Sequence, residues 1–373
     1  MSKMLKETAR VMGRTAVGCA KMASVVFDAV GVYSLFRFFK RNQTIILMYH
    51  GITETASVPD NFDGRQVDAT LFEHQIEYLK KNYDIISFDE YVNNEQRGIL
   101  KEDRLNTHNR VKRQLTITFD DGYANNLYVL APIIKKNNIP IIIYLPAGLI
   151  DNNEIYWSNK VSFCIGRTER KRIEFMAGAK RIVLDLSNPK SRISALITAK
   201  KTLFNISETD RKKAIFEIIS SCDVDFRDNI DLRPMSWEEL KKLKKQLGDL
   251  VSFGSHTLTH PLLSKISDAE IIKELSESRK MISKKLVKTD HLSYPFGDYD
   301  SRVITTAKRF YSSAVTTSYG YNGQGVDIFR LKRIPVSNNN GMFLFMLSLF
   351  LDLGRYSEFF IRVYNRIKLL FHD

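Results

Sequence analysis

Short apolar segments alternate with longer amphipathic segments along most of this chain, and no other feature constrains its fold as strongly. Segments rich in β-branched and aromatic residues occur at residues 44–49, 84–88, 115–119, 139–145, 250–253, 291–294 and 313–317. Amphipathic stretches separate most of them, at residues 68–81, 124–137, 237–247, 268–286 and 300–310. Parallel strands need crossover connections, and strands buried on both faces are almost continuously apolar. The pattern therefore predicts an α/β barrel with about seven strands.

The interval between the fourth and fifth predicted strands is too long for a single loop. We interpret residues 160–234 as an insertion: a hairpin around Gly178 (residues 173–175 and 182–186), then helices near residues 193–204 and 210–220. The 373 residues would accommodate one barrel of about 250 residues with elaborations, or two smaller domains. We predict a basic amphipathic segment (1–43), a barrel (44–340) that contains the insertion, and an apolar and amphipathic C-terminal segment (341–373).

The two ends of the chain are basic and amphipathic. Residues 1–43 carry eight Lys or Arg against two acidic residues, and apolar residues recur at helical spacing in residues 22–39 and 356–370. Their uncharged stretches are shorter than the roughly 20 residues that a spanning helix needs. Two interpretations stay open: the ends lie in the interface of an anionic membrane, or they pack on the domain itself.

The overall charge favours an anionic partner. The chain has 56 basic and 42 acidic residues, a net charge of +14, but no nucleic-acid motif accompanies them, so a membrane surface is favoured over nucleic acid. Three widely spaced cysteines indicate a reducing compartment, and the N-terminal segment lacks a clean signal-peptide pattern. We predict a cytoplasmic protein that is peripheral on the inner face of a bacterial or archaeal membrane.

Two histidines four residues apart suggest a metal site. His256 and His260 follow the fifth predicted strand, in a loop rather than a helix because glycine, serine and proline flank them. Thr257 stands where a zincin motif has glutamate, which argues against a metalloprotease. With Asp121 they make a donor set that suits Zn, and also Co, Ni or Mn. The alternative is that both histidines are structural.

Asp120 and Asp121 end the third predicted strand, and His50 ends the first, so all these side chains converge on one rim of the barrel. Adjacent residues of a strand point to opposite faces. We therefore assign Asp121 to the metal and Asp120 to the base that activates water. Alternatively, either aspartate caps the helix that begins at Ala124.

Three short motifs together resemble one family. TFDDG at 118–122, HTLTH at 256–260 and YPFG at 294–297 resemble the motifs of polysaccharide deacetylases with a NodB homology domain, over roughly residues 45–336. The resemblance implies a deformed (β/α)7 barrel and metal-dependent removal of an N-acetyl group from an amino sugar. It also implies that the metal and a backbone N–H of the third motif, by position that of Phe296, stabilise the oxyanion.

The chain departs from the family pattern at two positions. No arginine precedes the third motif, so we expect Arg333, or else Arg330, to orient the base; the alternative is that both are surface charges. The usual late histidine is also missing. LMYHGI at 47–52 resembles the subgroup acting on poly-N-acetylglucosamine, whose acid histidine lies on the first strand, so His50 is our predicted general acid. A structural histidine is the alternative.

The sequence thus predicts a metal-dependent carbohydrate N-deacetylase. The acetylated substrate would be a polysaccharide, an oligosaccharide or a lipid-linked glycan. Tyr123, Tyr144, Pro146 and Trp157 follow or end adjacent strands and are candidates for stacking on sugar rings, with core packing as the alternative. Two rivals remain: a related amidase or esterase acting on a non-sugar substrate, and a catalytically silent glycan-binding protein.

Overall fold

The computed structural model describes residues 43–56, 61–97, 113–151, 155–225 and 233–350. The predicted amphipathic helices at the two ends of the chain, in residues 22–39 and 356–370, lie outside the described residues. The strands are β1 (Ile45–Tyr49), β2 (Gly51–Thr53), β3 (Gln66–Asp68), β4 (Tyr83–Ile85), β5 (Arg113–Phe119), β6 (Ile141–Leu145), β7 (Arg172–Ala177), β8 (Lys180–Asp185), β9 (Val251–Ser255), β10 (His291–Ser293), β11 (Ser313–Tyr319) and β12 (Leu331–Pro335).

Seven parallel strands close into a barrel, which confirms the predicted fold class. Their order around the ring is β1, β12, β11, β10, β9, β6 and β5, and the pairing of β5 with β1 closes the ring. Tyr49 at the end of β1 lies opposite Phe119 at the end of β5. Because all seven strands run in the same direction, their carboxyl ends meet at one rim.

The ring does not consist of the seven strands that the sequence predicts. The predicted strand at residues 84–88 is β4, which pairs with β5 outside the ring, and Phe88 already begins a helix. The seventh barrel strand is β12, which the apolar pattern missed. Lys332 and Arg333 interrupt its apolar residues, and Arg333 is nevertheless fully buried.

Helices lie around the barrel and in the chain between β6 and β9, and several begin at capping signals that the sequence carries. They are α1 (Ala69–Asn82), α2 (Phe88–Arg97), α3 (Ala131–Asn137), α4 (Trp157–Arg167), α5 (Pro189–Phe204), α6 (Glu208–Cys222), α7 (Trp237–Leu247), α8 (Asp268–Lys285), α9 (Ser301–Phe310) and α10 (Gly341–Ser348). Ser236 and Ser267 are the N-caps of α7 and α8, and each forms the predicted capping box with the glutamate three residues on. These boxes satisfy backbone N–H groups that a helix start leaves unpaired.

A separate small core lies in the chain between β6 and β9. The hairpin of β7 and β8 packs against α5 and α6, which also contact α4. The buried residues of this core include Ile173, Phe175, Leu184, Leu203 and Ile218. The hairpin and both following helices lie where the sequence predicted an insertion. We call this unit, residues 157–222, the inserted subdomain.

The start of the predicted C-terminal segment packs on the barrel. Phe345 and Met346 of α10 are buried in the main core, together with Leu349 and Phe350, and α10 contacts α1. Among the described residues, no helix combines the length and apolar character that crossing a bilayer requires.

Candidate active site

The strand ends bring the predicted site residues together. The backbone N–H of Asp120 donates to the carbonyl of Tyr49 at 3.0 Å, which places His50 beside Asp120 on neighbouring strands. The N–H of His256 donates to the carbonyl of Leu145 at 2.8 Å, at the end of β6. These bonds continue the barrel ladder by one residue, so the site residues follow directly from paired barrel strands.

Asp121, His256 and His260 form a cluster of three residues that can ligate a metal. The Nε2 atoms of the two histidines are 3.2 Å apart, and each lies 3.6 Å from Oδ1 of Asp121. All three donor atoms lie within 4.8 Å of one another. Burial, and then the neighbouring His256, lower the pKa of His260 to about 3, so its ring is neutral at pH 7.

The hydrogen bonds around His256 fit a bound cation. Nδ1 of His256 lies 2.7 Å from the carbonyl of Ser293, which can only accept, so Nδ1 carries the proton. In the neutral ring Nε2 then has a free lone pair, and it faces Nε2 of His260 and a carboxylate. A divalent metal would satisfy all three groups, and a ligating histidine commonly donates its other N–H in this way.

The ligand loops adopt backbone conformations that side chains usually avoid. Asp121 has φ 72°, Thr257 has φ 67° and His260 has φ 61°. Such left-handed conformations in non-glycine residues cost energy and persist where the surrounding structure enforces them. Gly122, at φ 62°, continues the turn after Asp121, and this turn is how two adjacent aspartates both reach the rim.

Asp120 forms a buried bidentate ion pair with Arg333. Nη1 and Nη2 of Arg333 donate to the two carboxylate oxygens at 2.8 and 2.7 Å. Burial alone would raise the pKa of Asp120, but Arg333 and His256 outweigh it and hold the pKa well below its usual range. Arg330, by contrast, is 55% exposed and pairs with Asp327 on the surface. Of the two predicted arginines, only Arg333 contacts Asp120.

His50 lies at the same rim, partly buried. Burial, and then Arg65, lower its pKa to about 4, whereas Asp121 and Asp120 act to raise it. The ring is therefore neutral at pH 7 and is sensitive to the charge of both carboxylates.

Phe296 lies in a tight turn after β10, Pro295–Gly297. The N–H groups of Gly297 and Asp298 close this turn by donating to the carbonyls of Tyr294 and Pro295. Neither of these two bonds uses the N–H of Phe296. The ring of Phe296 lies 4.5 Å from that of His260, so the turn borders the metal-ligand cluster.

The supporting role of several side chains around the cluster was missed by the sequence analysis, although Tyr123 was named there as a stacking candidate. Tyr123 donates to Oδ2 of Asp121 at 2.8 Å and accepts from Asn159 at 2.6 Å, while Tyr156 donates to the backbone carbonyl of Asp121 at 2.8 Å. Tyr123 directly follows the first motif, which was a usable signal. Tyr156 lies just before α4 and Asn159 lies in its first turn, and no local sequence pattern indicates their roles.

Glu274 of α8 was also missed. Its carboxylate accepts from the N–H groups of Leu258 and Thr259, both at 2.8 Å, and from the hydroxyl of Thr259. It thereby fixes the loop between the two histidines. A glutamate on an amphipathic helix gives no sign of such a role.

Comparison with solved structures gives the fold class independently. The deacetylase PplD of Streptococcus pyogenes, in complex with acetate, is 19% identical with TM-score 0.52 over 82% of this chain and 97% of that one. A polysaccharide deacetylase from Bacillus cereus is 20% identical, with a TM-score of 0.51; the match covers 82% of this chain and 68% of that one. The de-N-acetylase from Aggregatibacter actinomycetemcomitans is 15% identical, with a TM-score of 0.50; the match covers 82% of this chain and 99% of that one. At these identities the likeness establishes the fold.

The family follows from the sequence match. A family model described as polysaccharide deacetylase matches residues 107–314, more than half of the chain, and the chain belongs to this family. It is accordingly a hydrolase of the carbohydrate de-N-acetylase class. No curated protein matches the chain. His50 and Arg333 lie outside the matched residues, and membership of the subgroup with the acid histidine on the first strand stays a prediction.

Proposed function

We propose that the protein is a metal-dependent hydrolase that removes N-acetyl groups from an amino sugar within a glycan. The observation that carries the proposal is the pairing, on one rim, of the cluster Asp121, His256 and His260 with a separate carboxylate, Asp120. Hydrolysis of an amide at a metal site needs both a set of ligands and a base that is not a ligand.

Asp121, His256 and His260 would hold the metal. Their two nitrogens and one oxygen suit Zn²⁺, and Co, Ni or Mn as alternatives. A divalent metal bound there supplies Lewis acidity, which polarises the acetyl carbonyl and lowers the pKa of water.

Asp120 takes the proton of the attacking water. Arg333 keeps its carboxylate ionised and fixes both of its oxygens. The same ion pair weakens Asp120 as a base, so proton transfer to it depends on a water of lowered pKa. The arginine that orients the base in other family members is thus replaced, in our proposal, by Arg333 from β12.

His50 and Phe296 complete the proposed reaction. When the carbonyl carbon becomes tetrahedral, the N–H of Phe296 donates to its oxygen. Breaking the C–N bond requires a proton on the leaving amine, and His50 provides it. Because the ring of His50 is neutral at pH 7, it must first take up a proton from solvent, which the two nearby carboxylates favour. Asp120 releases the proton of the attacking water to solvent, so both groups return to their starting state.

The proposal also covers the glycan substrate and the location of the protein in the cell. We infer an acetylated polysaccharide, oligosaccharide or lipid-linked glycan, and a cytoplasmic protein peripheral on an anionic membrane. The net charge of +14 and the amphipathic pattern of both ends support this location. Sedimentation with anionic vesicles at low salt tests it, and a protein that stays in the supernatant would refute it.

The central experiment combines metal analysis with acetate release from N-acetylglucosamine oligomers and from simple acetyl esters. We expect Asp120→Asn to retain metal but to lose about 10²- to 10⁴-fold in kcat, and His256→Ala to lose the metal. Asp249→Asn, at a fully exposed carboxylate, and His74→Ala, on α1, are matched controls. Full activity in Asp120→Asn would show that the base is wrongly assigned, and turnover of esters alone would favour the rival esterase.

A further inference from the structure

Three aromatic side chains from separate segments meet beside the metal-ligand cluster. Trp157 is the first residue of α4, Phe204 is the last residue of α5, and Phe296 lies in the turn after β10. The ring centroids are 5.4 Å apart for Trp157 and Phe204, 4.8 Å for Phe204 and Phe296, and 5.9 Å for Trp157 and Phe296. We call these three residues the aromatic wall.

The wall borders the reaction centre and is partly exposed. Phe296 contacts His260, and Phe204 and Trp157 lie one ring further from the cluster. All three are partly exposed, whereas Tyr123 and Tyr144, two of the other predicted stacking residues, are fully buried. Tyr123 and Tyr144 therefore cannot contact a sugar, which overturns that expectation for both. Trp157 remains available.

The inserted subdomain holds two of the three rings in place on the barrel rim. Asp63 lies in the loop between β2 and β3. Its Oδ2 accepts hydrogen bonds from Ser162 of α4 and Lys200 of α5, at 3.0 and 3.1 Å. Asn159 of the subdomain and the preceding Tyr156 donate to the hydroxyl of Tyr123 and to the backbone carbonyl of Asp121, in the segment that follows β5. Phe204 lies one helical turn after Lys200. Because the rings are fixed before any ligand arrives, binding to them costs little conformational entropy.

The third ring is held by a strained backbone. Phe296 has φ 58° and ψ 6°, a left-handed conformation that is rare for a bulky side chain. The hydroxyl of Thr317 donates to its carbonyl at 3.2 Å and helps to hold it there. Strain of this kind concentrates at functional sites. Here the one conformation sets the directions of both the Phe296 amide and the Phe296 ring.

We propose that the aromatic wall is a sugar-binding subsite, with Phe296 under the sugar that reacts and Phe204 and Trp157 under its neighbour. This inference rests on the proposed function. One face of a pyranose ring consists mainly of C–H groups and packs on aromatic rings, while its hydroxyl edge stays solvated. The inserted subdomain then selects glycan chains over single sugars.

Tryptophan fluorescence tests the wall without requiring turnover. The chain has two tryptophans, Trp157 and the buried Trp237. Adding N-acetylglucosamine pentamer should change the fluorescence saturably in wild type and in Trp237→Phe, but not in Trp157→Phe. Phe204→Leu should raise Kd and KM for the pentamer about tenfold with kcat nearly unchanged, since a lost aromatic contact reduces ground-state and transition-state binding alike.

Phe204→Trp should restore binding to within about threefold of wild type, because it retains an aromatic face. Phe216→Leu is the matched control, since Phe216 lies on α6 of the same subdomain and is 72% exposed. Unchanged Kd in Phe204→Leu, or no saturable signal from Trp157, would overturn the subsite. Acetate release without a Trp157 signal refutes the wall alone. A Trp157 signal without acetate release supports the wall and refutes the deacetylase reaction.

Discussion

Replacing Arg333 by methionine would leave a buried carboxylate without its partner. The guanidinium donates five hydrogen bonds, to Asp120 twice and once each to Thr118, Thr316 and Ser293, and Arg333 is 0% exposed. Breaking one side of a buried ion pair typically costs about 3–5 kcal/mol. We expect Arg333→Met to lower the free energy of unfolding by about that amount at pH 7.

The pH dependence of the free energy of unfolding shows whether the loss of stability in Arg333→Met comes from the broken Asp120–Arg333 ion pair. In the wild type the pKa of Asp120 is lowered, so the pair stabilises the fold above pH about 4 and this contribution is lost as the pH falls further. In Arg333→Met the main group that lowers the pKa of Asp120 is gone and burial acts to raise it, so the folded state takes up a proton at a higher pH than the wild type. The folded variant then loses stability as the pH rises through the raised pKa. The difference in unfolding free energy between wild type and variant should be largest at pH 8 and smaller near pH 5.

Urea unfolding at pH 5 and pH 8 measures both quantities. Arg330→Met is the matched control, because Arg330 is exposed, and it should shift the unfolding free energy by less than about 1 kcal/mol. Combining Arg333→Met with Asp120→Asn should cost about 2–3 kcal/mol less than the two single changes added together. A loss below about 1 kcal/mol in Arg333→Met, or a pH-independent loss, would refute the reasoning.

Three further predictions concern the supports of the site. Asn159→Ala should lower the metal affinity about tenfold, because Tyr123 loses the hydrogen bond that orients it. Calorimetric titration with the metal measures this affinity, and an unchanged value would show that the Asn159–Tyr123 contact does not support metal binding. Glu274→Ala should lower the free energy of unfolding by about 2–3 kcal/mol in urea, since two loop N–H groups lose a charged acceptor. Burial, and then a neighbouring arginine, lower the pKa of Lys200 to about 8. The unfolded state therefore binds more protons above that pH, and the wild type should gain up to about 3 kcal/mol of stability relative to Lys200→Met between pH 7.5 and 10. An equal pH dependence in both proteins would contradict this.

Much of the fold was predictable because its signals are local. Helix α7 was predicted at 237–247 and is observed at Trp237–Leu247, and both capping boxes form. A capping box acts over three residues, and an apolar strand reveals its burial by its own composition. Strand β12 was missed for the same reason. Its local composition includes two charged residues, and one of these is buried only because of a partner elsewhere in the chain.

The candidate site was predictable to a similar extent. Asp121, His256 and His260 lie in short motifs at strand ends, and barrel topology alone brings such ends together. Tyr156, Asn159 and Glu274 were not predictable. Each contacts the site from a different helix or loop, 15 to 36 residues from its partner, and nothing in its immediate neighbourhood distinguishes it from a surface residue.

The sequence by itself determined the alternation of strands and helices, the motifs at the strand ends and hence the class of fold and chemistry. Only the tertiary structure decided that Arg333 rather than Arg330 contacts Asp120, 213 residues away, and that the inserted subdomain contributes rings beside the cluster. The physical reason is the distance along the chain over which each kind of interaction acts. Propensity, capping and apolar periodicity act within a few residues, whereas a buried ion pair or a ring contact exists only once closure of the barrel has set the distance between its members.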